Sequence, residues 1–148
     1  MAINTGKVVV GGLVAGIVAN VLGYLLFDLW LGPRFEAEVT AVSASLAGKG
    51  NSGMAMGMTI ASGFVVGFVL AWLYAAIRPR FGPGLKTAMF AGTVVWILGF
   101  IFHLDLWVLG LASPATYMMA SVAALVQTLA AAWVAGMMYQ EEGAPASA

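Results

Sequence analysis

A chain of 148 residues that is 62% hydrophobic and 8% charged, with no net charge, lacks the polar surface of a soluble domain, where about a quarter of residues are charged. Its lack of cysteine excludes disulfides, thiolate metal sites, iron–sulfur clusters and covalent c-type haem, and its one histidine excludes bis-histidine haem within one chain. It has no basic face, so nucleic acid is not an expected partner.

The charges cluster and leave four apolar runs, Val8–Leu31, Met54–Ile77, Thr87–Leu109 and Thr116–Tyr139. At about 1.5 Å of rise per residue each is roughly 34 to 36 Å long, enough to cross a hydrocarbon core of about 30 Å. The expected fold is an all-α membrane protein. One domain over residues 1–139 holds a bundle of four transmembrane helices, followed by a disordered tail over 140–148.

The first run follows Lys7 but is too long for the apolar region of a signal peptide, and no A-x-A site closes it. It reads as a retained first helix. Gly12 and Gly16 give it a small-xxx-small motif, and Asn20, Tyr24 and Asp28 continue the same face at steps of four. In the next loop, residues 32–53, Phe35, Val39, Val42 and Leu46 recur with helical spacing. A short amphipathic helix lying at the membrane interface is expected there, from Gly32-Pro33 to near Gly48.

The second run carries a ladder of small residues at steps of four, Thr59, Gly63, Gly67, Ala71 and Ala75. The connection "RPRFGPGLK", residues 78–86, then predicts a tight antiparallel hairpin. Pro79 and Pro83 fix backbone angles, while Gly82 and Gly84 permit positive φ. The third run ends in "GFIFHLDLWVLG", residues 99–110. The fourth has its own ladder, Ala120, Ala124, Thr128, Ala132 and Gly136. Three such ladders point to a compact bundle.

Lys7, Arg78, Arg80 and Lys86 fall on one side of the four spans, against Arg34 and Lys49 on the other. The positive-inside rule therefore predicts that both termini are cytoplasmic. Trp30 and Trp107, each in an Asp-Leu-Trp sequence, fall where aromatic belts form. The shorter match of "AWLYAAI" to "AWVAGMM" suggests a tandem duplication of a two-helix unit.

Candidate polar sites are few. Asn20 and Gln127 sit at similar mid-membrane depth and are expected to meet as an interhelical clamp, because an unsatisfied amide in hydrocarbon costs several kcal/mol. Asp28, His103 and Asp105 lie near the outer boundary, with Tyr24 one turn below Asp28. His103 and Asp105, two apart, project about 200° from each other on a helix and do not face one ligand. An ion pair of Asp28 with His103 is the sharper expectation; separate snorkelling to water or headgroups is the simpler one.

No metal site is expected, since paired ligands on a helix need spacings of three or four. Gly99, one turn before His103, does open space beside an imidazole able to ligate a chlorophyll-type or other tetrapyrrole. A lone histidine is weak support for that, so no cofactor beyond lipid is expected. With no nucleophile–base–orienter set, the chain does not read as an enzyme.

The hairpin "AWLYAAIRPRFGPGLKTAMFAG", residues 71–92, resembles a group of small bacterial four-span membrane proteins that share it together with a glycine-rich first helix. The likeness covers the first helix and the hairpin. It implies a bacterial cytoplasmic (inner) membrane or an analogous energy-transducing membrane, and it brings no catalytic residues. "FHLDLW" lies outside it.

The leading expectation is an accessory or scaffold subunit packed against other transmembrane subunits, or a homo-oligomer. Nine methionines and five tryptophans suit adaptable contacts to protein and lipid. The alternatives are a module binding a lipid, quinone or pigment between helices 1 and 3, and a small transporter or proton path lined by Asn20, Tyr24, Asp28 and His103.

Overall fold

The computed structural model describes residues 3–139, so the expected disordered tail over 140–148 lies outside the described residues. The elements are all helical. They are α1 (Thr5–Gly23), which continues as a π-helical segment (Tyr24–Trp30); α2 (Gly32–Val42); α3 (Gly53–Phe81); α4 (Leu85–Phe102); α5 (Leu104–Val108); and α6 (Pro114–Met138). Four stretches, Thr5–Trp30, Gly53–Phe81, Leu85–Val108 and Pro114–Met138, are long and apolar enough to cross a membrane.

Three of the four spans start on a side-chain cap. Asn4, Ser52 and Ser113 cap α1, α3 and α6 by accepting the N–H of Lys7, Ala55 and Thr116. The spans begin one to three residues earlier than hydropathy places them, because these caps precede the apolar runs. At its other end α3 outlasts its apolar run and carries Pro79 inside its final turns. The turn proper is therefore shorter than the proline positions imply, and it rests on Gly82 (φ 83°) and Gly84 (φ 116°).

Packing begins where α1 meets α3. A Cβ added to Gly67 would lie 2.5 Å from the Gly12 carbonyl oxygen and 2.7 Å from the Gly16 Cα, both on the α1 backbone. On the α1 side, Gly12 and Gly16 lie under the rings of Phe68 and Phe64, and a Cβ on Gly16 would be 3.0 Å from the Phe64 Cα. Gly63 faces the Asn20 side chain, where a Cβ would be 2.7 Å from Cγ. These four glycines bring two backbones within reach of dispersion forces, which is how helices associate in lipid.

The other seams use alanine and glycine too. Gly11, Ala15 and Ala19 form a second face of α1, which packs against α6. Gly92 of α4 approaches Ala132 and the Thr128 carbonyl of α6. The resulting order places α3 and α6 in the middle, with α1 and α4 at opposite corners.

The hairpin end is locked by two buried tyrosines. The Tyr74 hydroxyl accepts the Gly84 N–H at 3.0 Å, and the Tyr139 hydroxyl accepts the Asn4 N–H at 3.1 Å. Their rings meet edge to face with centroids 6.0 Å apart. The start of α1, the α3–α4 turn and the end of α6 are thereby joined.

The amphipathic helix over 32–48 is cut short. α2 ends at Val42; Ser43 is extended, and its hydroxyl lies 2.9 Å from that of Ser45. Short 3₁₀ turns over Ala44–Leu46 and Lys49–Asn51 follow. Serine hydroxyls compete with the helical ladder, and Gly48 at φ 71° ends any continuation.

Replacing Gly67 with leucine forces α1 and α3 apart, whereas the same change at Gly57, where an added Cβ meets nothing within 4 Å, does not. Overpacking of this kind costs about 1–3 kcal/mol or more. Thermal unfolding in mild detergent is expected to show a clear drop for Gly67→Leu and little or none for Gly57→Leu.

Candidate functional site

The polar residues singled out in the sequence do not converge. Asn20 donates to the Gly16 carbonyl at 2.9 Å and across to the Ile60 carbonyl of α3 at 3.2 Å. Gln127 donates to the Ala19 carbonyl of α1 at 2.7 Å. The two amides thus clamp α1 from different sides and not each other. Each amide N–H2 finds a backbone oxygen with a spare lone pair and so donates without a second side chain.

Tyr24 and Asp28 leave the α1–α3 face altogether. From Tyr24 the helix widens to i→i+5 bonding, shown by the Leu31 N–H donating to the Leu26 carbonyl at 3.1 Å. The wider turn breaks the step-of-four alignment that Gly12, Gly16 and Asn20 keep. Tyr24 is exposed, and Asp28 instead borders an open hollow with Phe35, Glu36, Val39, Leu46 and Lys49.

The expected Asp28–His103 pair is not formed, because α1 and α4 are not neighbours; α3 and α6 lie between them. The same order removes the cleft between the first and third spans in which a ligand was expected to bind. His103 instead turns back on its own helix, with Nδ1 2.8 Å from the Gly99 carbonyl. Asp105 accepts the N–H of Leu106 at 3.0 Å as α5 begins. Both side chains are exposed. Among the described residues, no three of the His, Asp and Glu side chains come together as a metal site.

Among the described residues, the one dense polar cluster joins α2 to the start of α6. The Glu38 carboxylate accepts from the Ser113 N–H at 2.7 Å, the Ser113 hydroxyl at 2.9 Å and the Thr116 hydroxyl at 2.6 Å. Arg34, one turn earlier on α2, donates its Nε–H to the Thr116 hydroxyl oxygen at 2.6 Å and lies 3.6 Å from the Glu38 carboxylate. The carboxylate therefore sits at the positive end of α6 and supplements its Ser113 cap.

The hydrogen bond from Thr116 does most to hold the Glu38 carboxyl below the ordinary glutamate range. Partial burial opposes it, while Ser113 and Arg34 reinforce it. No spacing in the sequence announces this cluster, since Glu38 and Ser113 are 75 residues apart. The available clues were a Ser-Pro helix start and an acid and a base four apart on a helix. Aromatic contacts extend the join: Trp96 Nε1–H donates to the Ser121 carbonyl at 2.8 Å, and the Tyr117 hydroxyl donates to the Phe100 carbonyl.

What remains without a partner is the loop end of α3. Over residues 53–59 every side chain but Ala55 is exposed, Met54 to 78%. An added Cβ at Gly53 or Gly57 meets nothing within 4 Å. These residues continue the helix that grips α1 below Asn20, but α1 has turned away.

Together these features mark a multi-pass membrane protein that is all-helical among the described residues, with four helices long and apolar enough to cross a membrane. No known protein family, curated protein or solved structure matches the chain.

Because the folded state holds Glu38 below its unfolded pKa, the α2 anchor is at full strength above the ordinary glutamate range. It is lost as pH falls through the lowered value, beneath 4.5. Amide hydrogen exchange in α2, taken relative to its intrinsic rate at each pH, is expected to be slow at neutral pH and to speed up only in that acid window. Glu38→Gln is expected to speed it at neutral pH as well, by loosening α2 while the four spans stay folded.

Proposed function

We propose that this is a non-catalytic membrane protein that works by lateral association, as an accessory or scaffold subunit beside other transmembrane chains or beside copies of itself. The observation that carries this reading is the free loop end of α3. Gly53, Gly57 and Ala61 form a stripe of small residues at steps of four, and all three are exposed. Against lipid tails such a stripe forfeits dispersion contacts that a closely approaching helix would supply. Met54, Met56 and Met58 surround it with flexible side chains suited to an irregular partner.

The membrane in this reading is a bacterial cytoplasmic or energy-transducing one, with the basic hairpin end and both termini on the cytoplasmic side. α2 then lies at the outer interface, with Arg34 and Glu38 turned to the start of α6 and Glu36 to the Gly48 backbone. A tandem two-helix duplication would account for two tightly packed pairs, α1 with α3 and α4 with α6, each meeting across glycine.

The test is the native mass of the protein, extracted from its own membrane in mild detergent, with companions identified by mass spectrometry. An assembly larger than one chain is expected. Gly53→Leu with Gly57→Leu should strip the partner while the monomer still inserts and melts as the wild type does. A wild-type protein that travels as a single chain would overturn the reading.

A further inference from the structure

His103 closes α4 on the side of the molecule away from α1. Its Nδ1 lies 2.8 Å from the Gly99 carbonyl oxygen, and a carbonyl only accepts, so Nδ1 carries the proton. In the neutral ring the other nitrogen, Nε2, then holds a bare lone pair. The ring's orientation is fixed by its own helix, and the side chain is exposed.

The surface beside it is flat and apolar. A Cβ added at Gly99, one turn below, would meet nothing within 4 Å, so the backbone lies open there. Ile101 and Phe102 beside it are exposed to 54% and 76%. By helical rise His103 lies about 27 Å from the start of α4, inside a hydrocarbon core of about 30 Å and near its edge.

We propose that His103 is the single axial ligand of a five-coordinate metallotetrapyrrole of the magnesium- or zinc-chlorin class, with the macrocycle lying across Gly99. Magnesium and zinc at the centre of such a ring need one ligand from the protein, and a neutral imidazole nitrogen is a suitable one. The Nε2 lone pair fills the vacant axial position, displacing at most a solvent molecule. The Nδ1–H bond to a backbone carbonyl both orients the ring and raises its basicity, as it does for ligating histidines generally. The macrocycle is apolar and planar, so it covers the glycine gap from the lipid side without needing a cavity in the bundle. A single histidine is enough for this, which is why the absence of a ligand cluster does not bear on it.

The experiment uses the full chain in mild detergent, titrated with zinc pyropheophorbide a and followed by its visible absorption and induced circular dichroism. Saturable binding at one equivalent per chain is expected, with a dichroic band that free pigment in micelles lacks. His103→Gly should weaken binding at least tenfold, and added imidazole should restore the band. Gly99→Leu should also weaken it at least tenfold, with the melting temperature unchanged, because the new side chain fits the fold but occupies the macrocycle's place. Absence of saturable binding in the wild type overturns the proposal. So does equal binding by the wild type and His103→Gly, the mark of pigment dissolved in detergent. Full retention of binding by Gly99→Leu would overturn the placement of the macrocycle.

Discussion

At Gly67 the backbone of α3 comes so near the backbone of α1 at Gly12 and Gly16 that no side chain, not even a methyl group, fits between them. In a bilayer the hydrophobic effect does not draw helices together, because the tails of the lipid are as apolar as the helices. What remains is close contact over a long seam, and glycine is the residue that permits it. Once α1 and α3 are in register, Asn20 reaches the Ile60 carbonyl, and the second face of α1, Ala15 and Ala19, is presented to α6. The rest of the bundle is arranged around that seam.

The seam also explains why the two ends of the molecule differ. At the hairpin end the chain is closed, with Tyr74 and Tyr139 tying together the start of α1, the α3–α4 turn and the end of α6. At the other end α1 widens into its π-helical segment and departs from α3. α2 is then secured to α6 through Glu38, and α3 is left without a neighbour. A helix gripped by its own chain from Ile60 onward and bare over residues 53–59 is what the proposed associating role rests on. Within the spans, the amides of Asn20 and Gln127 bond to backbone carbonyls and hold α1 to α3 and α6.

Much of this was legible in the sequence, in the places where period and composition decide the outcome. The four spans follow from hydropathy, and the glycines of the α1–α3 seam follow from repeats at steps of four. The turn at Gly82 and Gly84 follows from the need for positive φ. Misreadings arose where a local change altered the geometry downstream. Steps of four placed Tyr24 and Asp28 on the Asn20 face, but a wider helical turn, which no residue there announces, moved them away. Reading Asp28 with His103 assumed that the first and third spans touch, and helix order in a bundle is not encoded in spacing. Glu38, Ser113 and Thr116 were missed because their partnership is long-range and each looks like an ordinary surface residue alone.

The account's central claim is that α3 is gripped by its own chain below Asn20 and by a neighbour above it. The chain has no cysteine, so single cysteines can be introduced along α3 without background. The decisive measurement is oxidative or bifunctional cross-linking of such variants in native membranes, position by position over residues 53–75. The account predicts capture of a neighbouring chain at Gly53, Gly57 and Ala61, and none at Leu70, Ala71 or Ala75, which the bundle encloses. No capture anywhere along residues 53–61, with uniform labelling by a lipid-soluble probe, would contradict it.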